Sequence, residues 1–184
     1  MLEALAQALA IAAFLALAIA LWIVLRKAGR LIAETREIES FRRAVIDLGR
    51  RIDTSLEGVG ARIDAVRRHT LGADAIGENL TAAIDAVERY ADEARGLRGP
   101  TAASEIRAAI IAELDRARRA LEMVEHGCSI LASARAGGRE LEAQTAIKRG
   151  YLNVLHAREA IARQAVRAAA LTPREPRSMS ERRA

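Results

Sequence analysis

The stretch Ile38–Val66, IESFRRAVIDLGRRIDTSLEGVGARIDAV, decides the fold class. Its seam residues Ile38, Phe41, Val45, Leu48, Ile52, Leu56, Val59, Ile63 and Val66 are spaced 3-4-3-4-4-3-4-3. That spacing is a heptad seam with one stutter, between Ile52 and Leu56. The residues between are mostly Arg, Asp, Glu, Gly and Ala, so the apolar stripe is narrow. A narrow stripe is the mark of a coiled coil, whereas a helix in a globular bundle shows a wider apolar face. The pattern therefore predicts a coiled-coil stalk over 26–69 that pairs with a second copy as a parallel homodimer. Gly49, Gly58 and Gly60 each weaken the helix by roughly 1 kcal/mol relative to alanine, so packing must supply its stability.

Working outward toward the N-terminus, Ala4 to Leu25 is a 22-residue run whose only polar member is Gln7. About 20 apolar residues cross the roughly 30 Å hydrocarbon core of a bilayer, which predicts a transmembrane helix over 4–25. A cleaved signal peptide would have a basic start and an apolar stretch of only about 7–15 residues. Here the start is Met1, Leu2, Glu3, and the run is longer. Arg26, Lys27 and Arg30 follow the span, while Glu3 is the only charged side chain before it. Cationic flanks stay in the cytoplasm, so residues 1–3 are expected outside the inner (cell) membrane and the bulk of the chain inside. Trp22 falls near the cytoplasmic end, where an indole sits in the headgroup zone.

Working toward the C-terminus, the seam continues from His69 to Leu97 through Leu80, Ile84 and Val87, with small residues between. Gly72 and Gly77 are candidate breaks, and Asp74 a candidate N-cap. Gly99, Pro100 and Thr101 form the clearest stop signal, with Thr101 a candidate cap for a helix over 101–136. Gly137 and Gly138 close that helix, and a last one follows over 139–171. Both carry wider apolar faces than the stalk, as bundle helices do.

Folding at these turns sets Leu121 opposite Val154, Val124 opposite Tyr151 and Cys128 opposite Ile147. It likewise sets Val87 opposite Leu114. Short connections place successive helices antiparallel, which predicts a three-helix head over 70–171. A bend at Gly72–Asp74 offers a competing solution, with Ile63 opposite Leu80 and Val59 opposite Ile84. In that solution the stalk joins the head as a four-helix bundle. Residues 172–184 contain two prolines and one large apolar residue, a composition expected to be disordered.

Charge and residue usage narrow the chemistry. The 184 residues carry 29 Lys+Arg against 24 Asp+Glu, a net charge of +5, with only five aromatic residues. The cations are interleaved with acids, and no basic stripe with stacking aromatics points to nucleic acid. Period-two alternation and glycine-rich phosphate loops are absent, which argues against sheet-based enzymes. The single cysteine, Cys128, excludes a disulfide framework. Glu122, His126, Cys128, His156 and Glu159 are the only candidates for a metal site. His126 and His156 fall about 10 Å apart in the hairpin register, too far to share an ion, so neither metal nor cofactor is expected.

The most distinctive stretch is Lys148 to Glu159, KRGYLNVLHARE. It concentrates polar and aromatic identity in three turns, and Arg149, Tyr151, Asn153, His156, Arg158 and Glu159 form a candidate docking face for a protein partner. The competing reading is a satisfied network in which Glu159 reaches the Arg116/Arg119 level and Tyr151 packs on Val124.

In topology alone, Ala4 to about Leu97 is similar to the b subunit of F-type ATP synthases, with one span and a long Ala/Arg/Glu-rich helix. No motif is shared, and the turns at Gly99–Pro100 and Gly137–Gly138 depart from a single extended helix. The resemblance therefore implies no activity. The expectation is a non-enzymatic, membrane-anchored helical scaffold or docking protein. Its expected partners are the lipid bilayer, a second copy of itself and a cytoplasmic protein. The alternative is an accessory single-span subunit of a larger membrane complex.

Overall fold

The computed structural model describes residues 2–133 and 138–172, and within them all side chains except those of 2–13, 16, 30, 31 and 102. Four α-helices are present: α1 (Leu2–Arg67), α2 (Gly77–Gly96), α3 (Ser104–Ala132) and α4 (Glu140–Ala169). Short 3-10 turns at Asp74–Ile76 and Thr101–Ala103 precede α2 and α3. The described residues contain no strand.

The chain divides into two compact units, one of Ser40–Leu171 and one of Met1–Glu39 with Thr172–Ala184. The Ser40–Leu171 unit is a four-helix bundle with one continuous core. Phe41, Leu48, Ile52, Leu56 and Ile63 of α1 are sealed there with Leu80 of α2, Ile110, Leu114 and Leu121 of α3, and Ile147 and Ile161 of α4. Alanines and glycines complete the helix faces that the large residues leave narrow. Ala91, Ala94, Ala117, Ala143, Ala157 and Ala168 are all buried, as are Gly127 and Gly150.

The seam expected to pair a stalk with a second copy is covered by the chain's own helices. From Phe41 to Val66 every seam residue is buried within one chain, between 0 and 6% exposed. The apolar stripe that was to drive a homodimer is already covered, and the four-helix alternative describes the bundle. The misleading inference was that a narrow stripe excludes a globular bundle. Four-helix bundles use the same a/d positions as coiled coils, and small residues let neighbouring helices close over a narrow stripe.

The reversal after α1 is built on a residue that sequence reading passed over. His69 takes a left-handed conformation, φ 59°. Its N–H donates to the Val66 carbonyl at 3.0 Å, and the Thr70 N–H donates to the Ala65 carbonyl at 2.9 Å. These two bonds form a Schellman closure, with histidine where glycine normally sits. α1 thus ends before Gly72. Asp74 opens a 3-10 turn and makes no side-chain cap. Thr101 similarly begins a 3-10 turn, where its carbonyl accepts from Ser104 Oγ at 2.7 Å. Gly138, with φ 100°, lies in the α3–α4 connection, while Gly137 lies outside the described residues.

Adjacent helices run antiparallel, in the order the turns imply. Arg51 of α1 pairs with Glu93 of α2 and lies over the Tyr90 ring, 5.8 Å from its centroid. Asp53 and Glu57 meet Arg158 of α4. The α3–α4 register is the expected one displaced by a single residue, with Gly150 set against Val124 and Gly127 against Ile147. The two glycines explain the offset, because they admit the opposite helix where a larger residue would hold it off. Leu121, fully buried on this register, should lose about 2–5 kcal/mol of bundle stability on change to alanine. Arg118→Ala, at a partly exposed position paired with Glu122, should cost no more than about 1 kcal/mol in the same urea titration.

In the other unit, Ile38 is buried, while Phe14, Leu15, Leu17, Ile19, Leu21, Trp22, Ile23, Val24 and Leu25 are all exposed. Arg26 lies over the Trp22 ring, 5.0 Å from its centroid. The Arg30 side chain and residues 173–184, where the disordered tail was expected, lie outside the described residues. No described helix is long and apolar enough to cross a membrane. Within the 4–25 run the described side chains are those of 14, 15 and 17–25, fewer than the roughly 20 residues a span requires.

Candidate functional site

The stretch from Lys148 to Glu159 lies in the middle of α4, with Gly150 buried toward α3. A Cβ at Gly150 would stand 2.5 Å from Val124 Cγ2 and 2.7 Å from the Ala120 carbonyl oxygen. Glycine is required here by close approach of two helices.

The six candidate docking residues are distributed around the helix. With 100° between successive residues, Tyr151 and Arg158 share one stripe, while Arg149, Asn153 and His156 share another on the far side of the buried face. Tyr151 and Arg158 are half-buried and turned to α1. The Tyr151 ring lies under the Arg67 guanidinium, 4.9 Å from centroid to Cζ. Arg158 donates from Nε to Asp53 and from Nη2 to Glu57 at 3.1 Å. The Asp53 hydrogen bond and the two carboxylate charges hold its pKa above the ordinary guanidinium value, against some desolvation. These two residues fasten α4 to α1.

Arg149, His156 and Glu159 are exposed, and Asn153 is half-buried. Glu159 pairs with Arg163 at 3.6 Å along its own helix; it does not bridge to α3, where Arg116 pairs with Glu113. The docking face expected from sequence is therefore two separate structures, an internal α1–α4 clasp and a solvated flank. The clasp residues on α1, Asp53, Glu57 and Arg67, were missed because nothing local to them signals a partner about 100 residues away.

Three surface grooves lie among the described residues. One, of about 450 Å³ between α2 and α3, has Val87, Ala91 and Leu114 as its floor and Glu88, Asp92, Arg95, Asp115 and Arg118 as its walls. Its charges are of mixed sign, with Arg95 held by Asp92 at 2.6 Å and by Asp115 at 3.9 Å. The second, of about 220 Å³, lies beside the end of α1 between Arg67, His69, Gln144 and Lys148, over Val66, Leu131 and Ile147. The third, of about 550 Å³, lies between Met123 of α3 and Leu141, Glu142, Thr145, Ala146 and Arg149 of α4, beside Gly138. None of the three holds a nucleophile with an adjacent base.

Among the described residues no three His, Cys, Asp or Glu side chains converge as metal ligands would. Cys128 is part of the core. Burial, with a smaller contribution from Glu125, pushes its thiol up to about 11 from an ordinary 9.0. The thiolate is the reactive form, so at pH 8 its fraction falls about a hundredfold on folding. Maleimide should label the native protein correspondingly more slowly than the urea-unfolded chain, with equal labelling rates contradicting the buried placement.

The chain matches no protein-family model, no curated protein and no solved structure.

Proposed function

We propose that this is a non-enzymatic, membrane-anchored helical protein whose bundle serves as a scaffold or docking body for a cytoplasmic protein. The observation that carries the reading is the exposure of every described large apolar side chain from Phe14 to Leu25. A helix apolar on all sides has no face that water favours, and lipid is the solvent that suits it. Arg26 and Lys27 directly after the run, with Trp22 just before them, are the anchors expected at a cytoplasmic boundary. The covering of charged side chains on the bundle supports a binding role.

The second reading is an accessory single-span subunit of a larger membrane complex. It draws on Ala8, Ala12, Ala16 and Ala20, whose four-residue spacing permits close packing against another transmembrane helix.

Membrane fractionation tests the anchor. The full chain should stay in the membrane pellet after alkaline carbonate washing, and release into the supernatant would refute the span. A reporter active only outside the cytoplasm, fused after Ala184, should remain silent. Purification in mild detergent separates the two readings, since a stoichiometric multi-span companion belongs to the subunit reading alone.

A further inference from the structure

The bundle leaves five large apolar side chains exposed among its described residues: Ile46, Met123, Leu141, Leu152 and Val166. Three of them lie on one stripe of α4. Leu141, Lys148, Leu152, Leu155, Glu159 and Val166 follow a 3-4 heptad spacing along the solvent side of the helix. Leu141 is 76% exposed, Val166 70% and Leu152 44%, and Leu155 between them is half-buried. This second seam is distinct from the one that faces the core, which runs through Ile147, Val154 and Ile161. Scattered apolar residues on a surface need no explanation, but three aligned over about 38 Å of one helix form a stripe that a partner would cover.

The stripe is its own complement when read backwards. Laid antiparallel on a second copy about the midpoint between Leu152 and Leu155, Leu152 meets the partner's Leu155. Lys148 then meets the partner's Glu159, and Leu141 meets the partner's Val166. The one further pair, Thr145 with the partner's Ala162, is small and permits close approach. Each contact occurs twice, as two-fold symmetry demands. A parallel arrangement would instead set Lys148 against Lys148 and Glu159 against Glu159, placing like charges in contact. Charge complementarity thus selects both the occupant and its direction.

We propose that the outer face of α4 is a homodimer surface, in which two copies pair antiparallel through Leu141, Leu152, Leu155 and Val166 with Lys148–Glu159 bridges at both ends of the leucine contact. The contact is a single helix pair, smaller than a standard interface, so the dimer is weak and reversible. It does not rest on the membrane reading.

Sedimentation of the full chain in density-matched detergent, from about 1 to about 200 μM, tests it over the range expected for a small interface. A concentration-dependent dimer is expected. Lys148→Glu should raise its dissociation constant about tenfold, because two attractions become two repulsions, and Lys148→Glu with Glu159→Lys should restore it. At concentrations where the monomer prevails all three proteins should melt at the same temperature, since both positions are exposed. Chains carrying Lys148→Cys should form disulfides with chains carrying Glu159→Cys in preference to their own kind, while buried Cys128 stays silent. A monomer throughout, a dimer indifferent to Lys148→Glu, or preferential Lys148→Cys self-crosslinking would overturn the proposal.

Discussion

Ile52→Asp is expected to unfold the bundle at every protein concentration. Ile52 is fully buried midway along the α1 seam, in the same core as Leu48, Leu56, Leu121 and Ile161. An aspartate there loses the contacts of the isoleucine and places a carboxylate among buried apolar side chains. An uncompensated buried charge costs several kcal/mol, comparable with the roughly 5–15 kcal/mol that holds a domain together. Far-ultraviolet circular dichroism should show loss of cooperative melting across the bundle. Ile46→Asp, one turn and a half away at a partly exposed position, should leave melting nearly unchanged. The pair of results also bears on the stalk. Were the seam a homodimer contact, Ile52→Asp would only separate copies, and α2–α4 would still melt cooperatively.

Gly150→Val is expected to destabilise the bundle by at least about 1–3 kcal/mol, the range for overpacking a core. The contacts a Cβ would make include the Ala120 carbonyl oxygen, which belongs to the α3 backbone and cannot rotate away. α3 and α4 would have to separate, opening gaps in the core that holds Leu121 and Val154. Gly58→Ala is the matched opposite. It lies in the interior of α1 with nothing within 4 Å of the new methyl, so the gain in helix propensity should appear uncompensated. That gain is about 0.5–1 kcal/mol. Urea midpoints for the two variants should move in opposite directions, and a stabilised Gly150→Val would show that the helices are not in close approach.

Little of the functional chemistry was legible, because the chain's polar side chains are spread along helices and meet only across the fold. Lys148 to Glu159 stood out by composition, yet composition does not tell which stripe of a helix a residue occupies relative to its neighbours. Tyr151 and Arg158 acquire their roles from Arg67, Asp53 and Glu57, on a helix that begins far away in sequence. The outer stripe of α4 is equally a tertiary fact. Its spacing is present in the letters, but two heptads run along that helix, and only packing tells which faces in.

Periodicity by itself determined that this protein is helical and which residues of α1 are buried. Heptad spacing over Ile38–Val66 dictates an apolar seam whatever covers it, and Gly99–Pro100 and Gly137–Gly138 dictate reversals by denying the helix its backbone geometry. Tertiary structure decided what covers the seam. A seam pairs equally well with a second copy or with the chain's own helices, and local sequence is silent between them. The Schellman closure at His69 turns the chain back on itself, and alanines and two glycines bring α2–α4 close enough to close the core. The deciding term is the fit of small residues across helices, which is a property of pairs and is written in no single stretch of the chain.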